Sequence, residues 1–148
     1  MTNRIEVQNA AAGTSIPDKK KIIRWACEAL PDNKDNAEFT IRIVDDNEMQ
    51  ELNRQWRGID KSTNVLSFPA GENIIAQQLL GDIAICAPVI EKEALEQNKS
   101  LDAHWAHMVI HGVLHLLGYD HIEDNDAKIM ESHEIKILNT LNFPNPYE

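Results

Sequence analysis

The chain has little cysteine: Cys27 and Cys86 are the only two in 148 residues. Two thiols without a pairing pattern exclude a disulfide framework and fit a reducing compartment, where both are expected to be small apolar fillers. Long hydrophobic runs are also missing. No apolar stretch is long enough to span a bilayer, and residues 1–12 lack the basic start and apolar centre of a secretory signal, so a cytoplasmic protein with no membrane partner is expected. Basic charge is scarce, with 14 Lys and Arg against 24 Asp and Glu for a net charge of −10. Such a surface repels a polyanion at long range, so any nucleic-acid contact requires a local exception. Arg54, Arg57 and Lys61, and the group Lys19, Lys20, Lys21 and Arg24, are the candidates, although the lysine run reads first as a solvated helix face. Repeats, linkers and low-complexity segments are absent. Residues 1–148 read as one domain whose 43% hydrophobic content is enough for a core, and without an obvious exposed apolar stripe a monomer is the default.

Histidine, by contrast, is concentrated. His111 and His115 stand four apart, which on a helix places both rings on one face. Gly118 follows three residues later and can take the left-handed conformation that ends a helix, letting the chain double back so that His121 approaches the same point. Three neutral imidazoles suit zinc and leave a fourth tetrahedral position open, which is the pattern of a catalytic site. A closed structural site would need a fourth ligand, usually Cys, and both cysteines lie in unrelated segments.

The spacing His111, His115, Gly118, His121 is similar to that of the metzincin metalloproteases, which carry Glu directly after the first His. Here that position is Gly112, which cannot exchange a proton with water or a leaving amine. Peptide hydrolysis by that route is therefore disfavoured.

The run from His111 through Gly112, Leu114, Leu117, Gly118, Tyr119 and Asp120 to His121 resembles the signature of the YbeY family of bacterial metal-dependent endoribonucleases. Arg57-Gly58, followed by Thr63-Asn64-Val65-Leu66-Ser67-Phe68, resembles the family's second hallmark, and the segments 80–86 and 103–109 are similar as well. The resemblance runs from about Glu38 to the C-terminus; the first thirty or so residues match only in pattern. It implies a single-strand-specific endoribonuclease acting on ribosomal RNA, notably at the 3′ end of the small-subunit (16S) RNA, and in ribosome quality control. Its implied partners are single-stranded RNA, ribosomal RNA and the small ribosomal subunit; it implies a metal cofactor, which the three imidazoles of His111, His115 and His121 make one zinc ion.

Along the chain, strands are expected at 4–8, 38–45, 64–68 and 82–86, with 70–79 a loop or edge excursion. Ile22, Ile23, Ala26, Cys27 and Leu30 recur at helical spacing between Pro17-Asp18 and Pro31. Asp46 or Asn47 is expected to cap a second helix carrying Met49, Leu52, Gln55 and Trp56 on one side. In the strand before it, Phe39, Ile41 and Ile43 alternate against Thr40, Arg42 and Val44. Further helices are expected at about 88–97, 102–117 and 125–141; the second is apolar almost all round and hence central, and the last closes the core. These elements predict an α+β fold, a mixed sheet of about four strands covered by helices, with a metzincin-like metal helix against it; the resemblance implies the same arrangement.

Arg57, where a helix gives way to a loop, is placed to contact a scissile phosphate with its guanidinium fork, and it is the one candidate catalytic side chain. Asp120 either orients a ligand histidine or caps the turn, and the nucleophile is either water or the ribose 2′-hydroxyl. His104 and His107 read as satisfied helix histidines, with outer support of the metal as the alternative, and Met130 reads as packing rather than a methionine turn. The rival functions are a non-catalytic ribosome assembly factor with a structural metal and a metzincin-like hydrolase of another substrate.

Overall fold

The computed structural model describes residues 3–11, 13–32, 36–70, 79–119 and 123–148. Strand β1 (Arg4–Asn9) leads to helix α1 (Lys19–Glu28), whose first turn is capped by Asp18 accepting from the Lys20 amide at 3.0 Å. Strand β2 (Glu38–Val44) runs into helix α2 (Asp46–Arg57). The cap of α2 is Asp45, which accepts from the Glu48 amide at 2.9 Å; it was expected at Asp46 or Asn47. Gly58 ends α2 in the left-handed conformation, φ 71°.

Strand β3 (Val65–Pro69) and strand β4 (Leu79–Cys86) follow, then α3 (Ala87–Glu96), α4 (Leu101–Leu116) and α5 (Asp124–Thr140). β4 begins three residues earlier than its sequence pattern suggests, and most of the expected 70–79 loop lies outside the described residues. The sheet order is β1-β2-β4-β3, with β1, β2 and β4 parallel and β3 antiparallel to β4 at the edge. Among the described residues, four mixed strands and five helices make the α+β fold expected.

Side chains alternate across the sheet, so each strand serves two layers. Ile41, Ile43, Ile83 and Ile85 join one core with α1 and α4, in which Trp105, Val109, Ile110 and Val113 are fully buried. The opposite face carries a smaller cluster of Val44, Met49, Leu66, Ala84 and Cys86 under α2. Val44 lies on the face opposite Phe39, Ile41 and Ile43, as the alternation predicts, and it is buried there because α2 folds back over the strand and brings Met49 into the same cluster. Cys86 is the buried filler expected, whereas Cys27 lies on the exposed side of α1.

At Gly112 α4 packs tightly on the sheet. A β-carbon there would lie 3.0 Å from Ile83 Cγ2 and 3.4 Å from Val65 Cγ2, and Ser67 Oγ donates to the Gly112 carbonyl at 3.0 Å. The position that carries Glu in the metzincin pattern thus faces a packed sheet rather than the open side of the helix. Among the described residues, no helix is long and apolar enough to cross a membrane.

Candidate functional site

α4 is anchored at its start by Ser100, which accepts from the Ala103 amide, and is surrounded by α1, α3, α5, β3 and β4. A helix held on so many sides gives its side chains little freedom, which suits a site that must hold its shape. At its end the Gly118 amide donates to His115 O at 3.0 Å and the Tyr119 amide to Leu114 O at 3.1 Å, with Gly118 at φ 102°. This pair of bonds around a left-handed glycine is the Schellman closure, and it ends the helix at Gly118 as the spacing predicts. His121 and Asp120, which follow, lie outside the described residues.

His111 and His115 share one face of α4, and their Nε2 atoms are 3.2 Å apart. Both rings line a cleft of about 650 Å³ together with Arg57, Asn64, Ser67 and Tyr119. The structure therefore brings Arg57 to the same cleft as the histidine pair. The Arg57 guanidinium lies over the Phe68 ring, 5.4 Å from its centroid, and Nη2 donates to the Ser67 carbonyl at 2.9 Å. α2 positions this arginine by ending at Gly58 beside the edge strand β3.

Behind the pair is a group that the sequence reading did not single out. Glu134, on α5, is fully buried, and its Oε2 lies 2.6 Å from His111 Nδ1. Its Oε1 lies 3.1 Å from His107 Nε2 and also accepts from the hydroxyl of Tyr147, in the C-terminal segment. Burial pushes this carboxyl up, but hydrogen bonds from His107 and His111, the His107 charge and the Tyr147 hydroxyl outweigh it and hold the pKa at about 2. An ionised carboxylate has only acceptors, so Nδ1 of His111 is the donor and its Nε2 presents a lone pair toward the Nε2 of His115.

That arrangement fits a bound cation. Two nitrogens at ~2.0–2.1 Å from one tetrahedral zinc lie about 3.4 Å apart, close to the separation here. A second donor set shares His111: ligand atoms of His107, His111 and Glu134 all lie within 4.8 Å of one another and can also hold a metal ion. His104 is a core histidine only half satisfied, with Nε2 2.8 Å from Glu93 Oε1 but Nδ1 buried without a hydrogen-bond partner among the described residues; burial lowers its pKa. The same Glu93 carboxylate accepts from Asn64 Nδ2 at 3.3 Å, which steadies the start of the strand lining the cleft. Met130 is a buried core residue, as expected.

A signal for Glu134 was present in the sequence. Met130, Glu134 and Leu138 are the buried residues of α5, so an acidic side chain occupies the apolar phase of an amphipathic helix. Tyr147 has no comparable signal, because its partner is fixed only by how the C-terminal segment returns to α5.

Comparison with known proteins gives the same direction. The solution structure of TM1509 from Thermotoga maritima is similar, with 28% sequence identity and a TM-score of 0.57 over 93% of this chain and 91% of that one. The family model described as Endoribonuclease YbeY matches residues 4–142, reaching well ahead of Glu38, where the motif resemblance begins. With its histidine pair, arginine and cleft on the fold that the motifs imply, the chain belongs to the YbeY family of endoribonucleases.

Proposed function

We propose that residues 1–148 form one zinc-dependent endoribonuclease domain, specific for single-stranded RNA and acting in 3′-end maturation of the small-subunit ribosomal RNA and in ribosome quality control. His111, His115 and His121 hold the one zinc ion, and Arg57 is the catalytic arginine. The substrate is ribosomal RNA within the small ribosomal subunit or its precursors, and the enzyme is a cytoplasmic monomer. The observation that carries this reading is the pair of Nε2 atoms 3.2 Å apart in a cleft shared with Arg57.

Zinc, when bound, supplies Lewis-acid polarisation of a phosphoryl oxygen and lowers the pKa of a water toward ~7. The chain's own groups do the rest. Glu134 accepts the His111 Nδ1 proton and so fixes the tautomer whose Nε2 faces the cleft. Its carboxylate is already engaged with that proton, which supports an outer role for Glu134 and His107 rather than direct ligation. Arg57 places a fork of donors where negative charge grows on the phosphate, and its stacking on Phe68 and its bond to Ser67 keep that fork in position. Gly112 offers no acid or base, in keeping with a phosphodiester rather than a peptide substrate.

The test is cleavage of an end-labelled single-stranded RNA by wild type and by His115→Ala, purified identically, with and without a chelator. Cutting by the zinc-loaded wild type alone is expected. Equal cutting by both proteins, or none by a wild type that binds zinc, overturns the reading and leaves an assembly factor with a structural metal.

A further inference from the structure

Three tryptophans occur in the chain, and their surroundings differ sharply. Trp25 and Trp105 are buried, whereas Trp56 is 62% exposed. An exposed indole is a large apolar surface left in water, and its position here is specific. Trp56 immediately precedes Arg57, and its ring meets Phe68 edge to face, with centroids 6.1 Å apart. Phe68 is the ring over which the Arg57 guanidinium lies.

Trp56 and Phe68 also form the wall of a second cavity of about 540 Å³, on the α2 side of the sheet, with Leu52, Ala84 and Ile83 as apolar lining. Successive residues of β3 point to opposite faces, so Ser67 borders the histidine cleft while Phe68 borders this second cavity. Arg57 stands on the ridge between the two.

We propose that the second cavity is a base-binding subsite, in which an unpaired nucleobase next to the scissile phosphate stacks on Trp56 while Arg57 takes that same phosphate. This rests on the ribonuclease reading above and adds to it where the strand leaves the cleft. Charge supports a base rather than a phosphate as the occupant. Arg42 in this cavity is already paired with Glu48 at 2.6 Å, and Asp82 adds a further carboxylate, so among the described residues the pocket offers no free cation to a phosphate. Base stacking on an aromatic ring needs no net positive charge and is tolerant of sequence. For a protein of net charge −10, it supplies affinity that counterion release cannot.

Trp56 is also the natural reporter, being the exposed one of three. A fluorescein-labelled oligoadenylate is titrated into chelator-treated protein, following anisotropy for binding and tryptophan emission for stacking, and zinc-loaded cleavage of the same strand is measured in parallel. Binding is expected to quench the wild-type emission. Trp56→Phe should lose the quench yet bind nearly as tightly, and Trp56→Ala should bind about ten-fold or more weakly, the loss of one stacking platform. Cleavage or binding by wild type with no quench, or Trp56→Ala affinity equal to wild type, overturns the subsite and leaves the ribonuclease reading intact. Neither binding nor cleavage by wild type overturns both.

Discussion

The Nδ1 atom of His111 lies 2.6 Å from Oε2 of Glu134, and this contact ties the helix lining the cleft to the helix that closes the core. If His111 is a metal ligand, as proposed, the buried carboxylate fixes its tautomer and ring plane before any metal arrives. Glu134→Gln keeps the shape but weakens the acceptor, and zinc affinity should fall by ~10–100-fold. Competition with a chromogenic chelator measures it; unchanged affinity would show that the carboxylate does not support the metal.

His107 separates the two donor sets that share His111. If His107 is outer support, His107→Ala loses no more than ~10–100-fold in zinc affinity and still binds one ion per chain. If His107, His111 and Glu134 are themselves the ligands, the same change removes a ligand and binding collapses. Zinc stoichiometry after dialysis, with His115→Ala beside it, reads the difference.

The Glu134 carboxyl sits at about 2 in the folded chain against an ordinary value of 4.5. A depressed carboxyl pKa gives stability that is fully present above the ordinary value and is lost as pH falls toward the folded one. The metal-free wild type should therefore melt above Glu134→Gln at pH 6, and the gap should narrow from about 4.5 downward. Paired thermal scans test it, and a gap constant down to pH 3 would contradict it.

Arg57→Ala should lower RNA cleavage by about 10²-fold or more while zinc content stays at the wild-type level. Arg57→Lys should recover only part of this, because an ammonium offers neither the planar fork nor the stacking surface. Single-turnover cleavage under saturating enzyme isolates the effect from binding.

Restoring the metzincin residue should fail. In Gly112→Glu the added side chain meets Ile83 at 3.0 Å and turns a carboxylate into the sheet. Overpacking costs typically ~1–3 kcal/mol and a buried charge adds to it, so the melting temperature should drop by several degrees or more. A folded variant with peptidase activity would contradict the packing described.

Much of this site was legible in the sequence because its signals are local. A four-residue histidine spacing and a terminating glycine are properties of one helix, and both hold in α4. The apolar character of that helix likewise predicts its central position. Sheet order was not legible: nothing local says that β4 inserts between β2 and β3. The second core escaped for the same reason, since the burial of Val44 depends on where α2 comes to rest. Glu134 needed the reader to distrust an acidic residue on an apolar phase, and Tyr147 needed the fold itself.

Among the described residues β3 pairs only with β4, so its other side is an open sheet edge. The Phe68 carbonyl points toward β4 at Gly81, and the alternate carbonyl, that of Ser67, points outward, where Arg57 occupies it. Open edges recruit strands from other molecules, and a cation folded over the central outward carbonyl of β3 denies a newcomer one of its hydrogen bonds. The side chain proposed for the phosphate thus also covers an edge carbonyl, and Arg57→Ala is expected to expose that carbonyl to strand pairing as well as to lower cleavage.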